Sequence, residues 1–447
     1  MQTTQRPSSL LAITGVTLFD GTGATPIPDA VLLVRDGRVA AAGPRRQVAI
    51  PDNATVVEAA NHWLIPGLID LHVHLDEDIM PGAFPLFGVT SVRDVGSRLV
   101  TLQKLRARAA KGEPMPRLFW MGRNIDQGKP SWSGAVAAKT SGDVPALLAE
   151  MQEKQGVDGV KLYVSAREDV AKAVIAEAHR RRMPVTAHLG EMTPERAAQL
   201  GIDNLEHIST LFTAQLSRDA AKKATGTRKS HAGVADIDLD SPPVRRLIET
   251  LARRKVAVTP TLSVSLMPMA GEKNADRIYR GWADIPGGWR SYWQDAYWSF
   301  LQPLGWTTAD YRERERANQR FLQMVARLEA AGVPIVAGTD SPAPWVLPGA
   351  GLIHELELLV QAGLSPKSAL LAATGRAAKV LRKTGEVGTL VPGARADFLL
   401  LPANPLQDIR ALRRLSAVYQ NGKALDTAAT RRAFEQVKAP PPQKPAS

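Results

Sequence analysis

The sequence predicts an α/β fold: a (β/α)8 TIM barrel with a small β-sandwich built from both chain ends. Three observations predict it. Eight short apolar runs recur between residues 68 and 340, and helical patterns fall between them. Two β-rich pieces lie outside that stretch, and neither is large enough to bury a core alone. Histidine, lysine and aspartate side chains fall at the ends of the apolar runs, where a barrel of this kind collects its functional groups.

The first piece is residues 1–66. Its runs 11–20 and 31–39 read as strands joined through glycine-containing turns. The barrel is expected over residues 67–385, with strands at 68–75, 90–95, 117–122, 159–164, 184–189, 203–208, 256–262 and 334–340. Residues 168–182, 243–254 and 311–331 carry apolar positions at helical spacing and supply the helical half of the pattern. Residues 386–430 hold the strand-like runs 388–393, 396–401 and 417–423, which pair with the N-terminal piece. The tail, residues 431–447, is proline-rich and is expected to stay unfixed.

Composition narrows the function. The 447 residues are 44% hydrophobic and 22% charged, an ordinary globular balance. No apolar stretch is long enough to cross a bilayer. The N-terminus lacks the apolar core of a signal peptide. A cytoplasmic location is therefore expected, with a periplasmic or secreted one left open if a leader was trimmed. There is no cysteine, so a metal must be held by imidazole, carboxylate or a modified lysine. The net charge of +12 is spread over pairs such as Arg245-Arg246 and Arg253-Arg254 on helical stretches. That is the pattern of solvated helix faces. Neither a nucleic-acid nor a membrane partner is expected, and a homo-oligomer is left open.

The chemistry starts at Leu71-His72-Val73-His74-Leu75. Residues two apart on a strand share a face, so both imidazoles leave one side, about 7 Å apart at roughly 3.3 Å per residue. One divalent ion can take both. An isolated pair of this kind is as well explained by core or surface histidines; the downstream run ends change that. They carry Lys161, His188, His207 and Asp340, and four of the chain's eight histidines are thereby accounted for. His62, His179, His231 and His354 have no such setting and read as structural or solvent-facing.

On these residues the chain resembles the amidohydrolase superfamily. The match runs from Pro66-Gly67-Leu68-Ile69-Asp70-Leu71-His72-Val73-His74 to Gly393-Ala394-Arg395-Ala396-Asp397. The branch it is most similar to holds imidazolonepropionase-like and prolidase-like enzymes, on Gly88–Gly96 and on the stretch 156–163 that ends in Lys161-Leu162-Tyr163. The resemblance implies two divalent metal ions, with zinc expected and manganese or cobalt left open. His72, His74 and Asp340 would hold one ion, and His188 and His207 the other. Lys161, carboxylated by carbon dioxide, would bridge them. It further implies that a bridging hydroxide attacks an amide carbonyl and that Asp340 shuttles the proton to the leaving nitrogen.

The substrate implied is a small molecule with an amide or peptide bond: a dipeptide or an N-acyl amino acid. A cyclic amide, a lactone and an organophosphate ester remain as alternatives, and a non-catalytic scaffold is disfavoured by a complete ligand set. Relatives place a Gly-His pair after the third strand, whereas residues 122–134 contain no histidine here. Arg123 or Lys129 is therefore expected to meet a substrate carboxylate, with Trp132 nearby and Tyr163 donating to the carbonyl oxygen. An aromatic insertion at 267–311, with Trp282, Trp289, Trp293, Trp298 and Trp306, is expected to form either a lid or an interface.

Overall fold

The computed structural model describes residues 9–75, 82–128, 130, 134–216, 233–266, 307–343 and 345–436. Its centre is parallel β-structure. The strands Leu68–Val73, Val89–Asp94 and Arg117–Trp120 form one three-stranded parallel sheet. A second sheet runs Val136–Ala137, Ile125–Asp126, Val160–Leu162, Val185–Ala187, Asn204–Glu206, Ala257–Thr259. Seven of the eight expected strands are thus present, six of them shorter than expected and Val89–Asp94 shifted by one residue.

Hydrogen bonds continue from each sheet to the next. Asp158 N–H donates to the Trp120 carbonyl at 2.7 Å. Residues 334–341 lie between the other two margins. Val336 N–H donates to Val258 O at 3.0 Å, and Leu71 N–H donates to Ala337 O at 3.0 Å. Parallel bridges at Val258–Ile335 and Val73–Ser341 mark the same alignment. This stretch is the eighth apolar run of the sequence, held by isolated bridges instead of a regular ladder.

The strands are buried on both faces, which is why they read as unbroken apolar runs. Helices cover them through single apolar stripes. Pro242–Arg254 buries Val244, Leu247, Ile248 and Leu251, the i, i+3, i+4, i+7 set. It follows Ser241 with proline in its first turn, where a missing N–H costs nothing. Thr308–Ala330 opens on a capping box of Thr307 and Asp310. Among the described residues, no helix is long and apolar enough to cross a membrane.

The two chain ends meet in one eight-stranded sheet. Its order is Lys423–Ala424, Ala417–Gln420, Phe398–Leu401, Trp63–Pro66, Leu10–Leu18, Ile27–Arg35, Arg38–Pro44, with Thr55–Glu58 also paired to Leu10–Leu18. The joint between the ends is the antiparallel pair Trp63–Pro66 and Phe398–Leu401. Ile13, Leu32, Leu64 and Leu400 fill a core of its own, and Phe398 stacks on Tyr419 at 4.4 Å. Hydrogen bonding makes this one continuous sheet, where the sequence suggested two facing ones.

Candidate active site

Asp70 and His72 share a face of Leu68–Val73, as their spacing requires. Asp70 is fully buried and ties this strand to its neighbour. It accepts from Thr339 Oγ1 at 2.7 Å, from Thr339 N–H at 3.1 Å and from His72 N–H at 3.1 Å. His72 is equally buried. Its Nδ1 lies 2.7 Å from Glu206 Oε2, which leaves Nε2 on the side of Asp340. That nitrogen stands 3.3 Å from Asp340 Oδ1, out of line for a hydrogen bond, and has no hydrogen-bond partner among the described residues. His74 Nε2 lies 3.1 Å from the same Asp340 oxygen.

The remaining strand ends bring their side chains to the same place. The His72 and His207 rings are 4.6 Å apart, and the His188 and His207 rings 4.5 Å apart. Lys161, from Val160–Leu162, is 1% exposed, with Nζ 5.6 Å from the Tyr163 ring centre. His74, Lys161, Tyr163, His188, His207 and Asp340 line one cavity of about 480 Å³, together with Ser209, Val264, Ser265, Arg314 and Phe321. Among the described residues, donor atoms of His72, His207 and Asp340 all lie within 4.8 Å of one another. This group draws two members, His72 and Asp340, from one expected ligand set and one, His207, from the other.

Backbone strain collects here. His207, Thr261 and Asp340 have φ of 64°, 47° and 65°. Non-glycine residues rarely take this left-handed region, least of all β-branched threonine, at about 1–3 kcal/mol each. Thr261 uses the position: its Oγ1 lies 2.8 Å from His207 Nδ1, which turns Nε2 toward the cavity.

Electrostatics set the protonation. Burial lowers the Lys161 pKa, favouring the neutral amine. Burial and the nearby Lys161 bring His188 down to about 3, and burial takes His207 well below the usual histidine value. Neutral imidazole is the form that binds metal. Burial alone would raise Asp340, but His72, His74 and His207 hold it well below the carboxylate range. Burial and Lys161 push His72 down, yet Glu206 and Asp340 outweigh them and raise it. Glu206 is held low by Arg93 and His72 against its own burial.

The donor set fits divalent metal ions. Imidazole and carboxylate converge on a cavity, and a buried Nε2 there has an unspent lone pair or proton. Several supporting residues were not singled out from the sequence: Glu206, Arg93, Asp70, Thr261 and Glu355. Glu206, next to His207, and Asp70, two residues before His72, had neighbours that could have drawn attention to them.

The substrate candidates fare unevenly. Tyr163 lines the cavity. Arg123 gives its guanidinium to the carbonyls of Gly134 and Ala135, at 2.8 and 2.5 Å, and is not among the described residues that line the cavity. Lys129, Trp132, His231 and the insertion residues 267–306 lie outside the described residues. Of the other histidines, His62 contacts the Ala60 carbonyl at 3.1 Å, His179 pairs with Asp203 at 2.9 Å, and His354 lies 3.9 Å from Glu357.

Comparison with known proteins places this geometry. A bottromycin amidohydrolase structure is similar at 23% identity and a TM-score of 0.72, covering 97% of this chain and 92% of that one. A structure described as a putative prolidase from Bifidobacterium longum is similar at 23% identity and a TM-score of 0.67, covering 95% and 99%. An imidazolonepropionase from Acidiphilium cryptum is 24% identical over 403 residues, 88% of this chain and 92% of that protein. An uncharacterized Mycobacterium tuberculosis protein is 37% identical over 125 residues, and the match spans only 20% of its length. The model of the amidohydrolase family matches residues 83–425. With three quarters of its length inside that match, and its histidines, lysine and aspartate gathered at strand ends around one cavity, the chain belongs to the amidohydrolase family.

Proposed function

We propose that this protein is a binuclear metal-dependent amidohydrolase acting on a dipeptide or an N-acyl amino acid. The observation that carries the reading is the unpartnered, buried His72 Nε2 within the His72, His207 and Asp340 group. In this reading residues 67–385 close into the (β/α)8 barrel, and residues 1–66 and 386–430 supply the β-domain beside it.

His72, His74 and Asp340 would hold one ion and His188 and His207 the other, with Lys161 as a carbamate between them. Zinc suits an imidazole-rich set. The ions would supply Lewis acidity and a water acidic enough to act as nucleophile near neutral pH. The chain does the rest. Asp340, kept ionised by its histidine neighbours, accepts the proton of the attacking water and passes it to the leaving nitrogen. Tyr163 stands at the cavity wall, where its hydroxyl can donate to the carbonyl oxygen.

Two metal equivalents per chain are expected by elemental analysis of protein purified without chelator. Zinc-loaded, bicarbonate-supplied enzyme should rank dipeptides or N-acyl amino acids first in kcat/KM over lactones and phosphotriesters. Asp340→Ala should lose about 10²–10⁴-fold in kcat. One or no metal per chain would reject the binuclear site. The full-length imidazolonepropionase similarity supports a second reading, in which a cyclic amide heads the ranking.

A further inference from the structure

We propose that Glu355 is a positioning residue that fixes His207 and Asp340 from the helix Ala350–Gln361, a role that rests on the metal-site reading above. Glu355 is fully buried, and a buried carboxyl group persists only where its oxygens are satisfied. Its Oε1 accepts from Leu262 N–H at 2.9 Å and its Oε2 from Ser263 N–H at 2.6 Å. These are the two residues directly after Thr261.

That placement answers a question the loop poses. Thr261 sits at φ 47°, and such a conformation persists only when the surroundings over-determine it. Two consecutive N–H groups locked to one carboxyl group supply that constraint. Thr261 then delivers its hydroxyl to His207 Nδ1 at 2.8 Å, which keeps Nε2 pointed at the cavity. The second branch runs through Ser263, whose hydroxyl donates to the Thr339 carbonyl at 3.1 Å. Thr339 immediately precedes Asp340, itself at φ 65°. One side chain therefore steadies the ends of two neighbouring loops, each carrying or orienting a metal-directed residue.

The geometry demands two acceptors. Glutamine has the same size but offers one acceptor oxygen and one NH2, which would face an N–H donor. Glu355→Gln thus breaks one arm of the clamp without opening a cavity.

The test uses the full-length protein, stripped of metal and titrated with zinc against a competing chelator. Glu355→Gln and Thr261→Val are each expected to weaken zinc binding about 10–100-fold, the usual cost of losing a group that orients a ligand. Thr261→Ser, which keeps the hydroxyl, is expected to recover most of the affinity. The double variant Glu355→Gln/Thr261→Val should lose less than the product of the two single losses, because both act in part through Thr261. Wild-type zinc affinity in Glu355→Gln overturns the proposal, even if metal-free protein melts at a lower temperature. If Glu355→Gln fails to fold, Thr261→Val and Ser263→Ala decide, and unchanged affinity in both overturns it. Absence of zinc binding by the unmutated protein is a separate result: it rejects the metal reading first and this role with it.

Discussion

Glu206 Oε2 lies 2.7 Å from His72 Nδ1, and both side chains are sealed from solvent. The same carboxylate accepts from Arg93 at 2.5 Å, from Asn204 at 2.8 Å and from the Thr186 hydroxyl. It neutralises a buried cation and orients the His72 imidazole of the proposed metal site at once. Glu206→Gln strands the Arg93 charge, and breaking such a buried pair costs about 3–5 kcal/mol. Denaturant unfolding of the metal-free protein should register that loss, and zinc affinity should fall about 10–100-fold.

Lys161 is the second test. Its burial favours the free amine, which is the form that combines with carbon dioxide. Metal-free protein reloaded with zinc in carbon-dioxide-free buffer should be nearly inactive. Added bicarbonate should restore activity, and Lys161→Ala should show no such response.

Gly338 is where the eighth apolar run packs against His72. A Cβ there would meet Thr259 Cγ2 at 2.5 Å, His72 Cβ at 2.8 Å and His72 N at 2.9 Å. The backbone nitrogen cannot yield. Gly338→Ala should therefore cost about 1–3 kcal/mol by overpacking. It should also weaken zinc binding, because His72 and Asp340 are pushed apart. Unfolding curves and zinc titration of the variant check both.

Glu357 supplies a pH dependence away from the site. It forms a two-armed pair with Arg413, at 2.6 and 3.0 Å. Burial would raise its pKa, but His354 and Arg413 outweigh that and bring it down to about 2. A lowered carboxylate pKa adds stability that is fully present above the ordinary value of 4.5 and is lost as pH falls toward 2. The contribution should be on the order of 1–3 kcal/mol. The stability gap between wild type and Glu357→Gln should be open near pH 6 and mostly closed near pH 3.

How much the sequence disclosed depends on which local rule each residue obeys. His72 and His74 follow strict strand alternation and were readable at once. Lys161 and His188 stand out because polar side chains interrupt apolar runs. Glu206 was hidden by the same rule. Alternation assigns it and His207 to opposite faces, yet Glu206 bonds His72 and the His207 ring lies 4.6 Å from the His72 ring. The left-handed backbone at His207 breaks the alternation, and no spacing pattern reports that. Glu355 was hidden differently. Its partners are main-chain N–H groups of another segment, 92 and 93 residues away, and backbone donors carry no sequence signature. Arg123 looked like an anion binder from its loop, but two carbonyls across that loop claim it. Strands of the two terminal pieces pair with each other, and neither piece could bury its apolar face alone, whereas one sheet in place of two depends on twist that composition does not encode.

The Ser263–Thr339 hydrogen bond has a practical side for anyone reshaping this pocket. Loop grafting is the usual way to give such a scaffold a new substrate range, and the segment after Thr259 is the obvious place to cut. Here the first few residues of that segment are wired to the neighbouring loop's aspartate, so a graft beginning there would disarm the enzyme while appearing only to retune it. The splice point belongs at Leu266 or beyond, where exchange leaves that wiring whole.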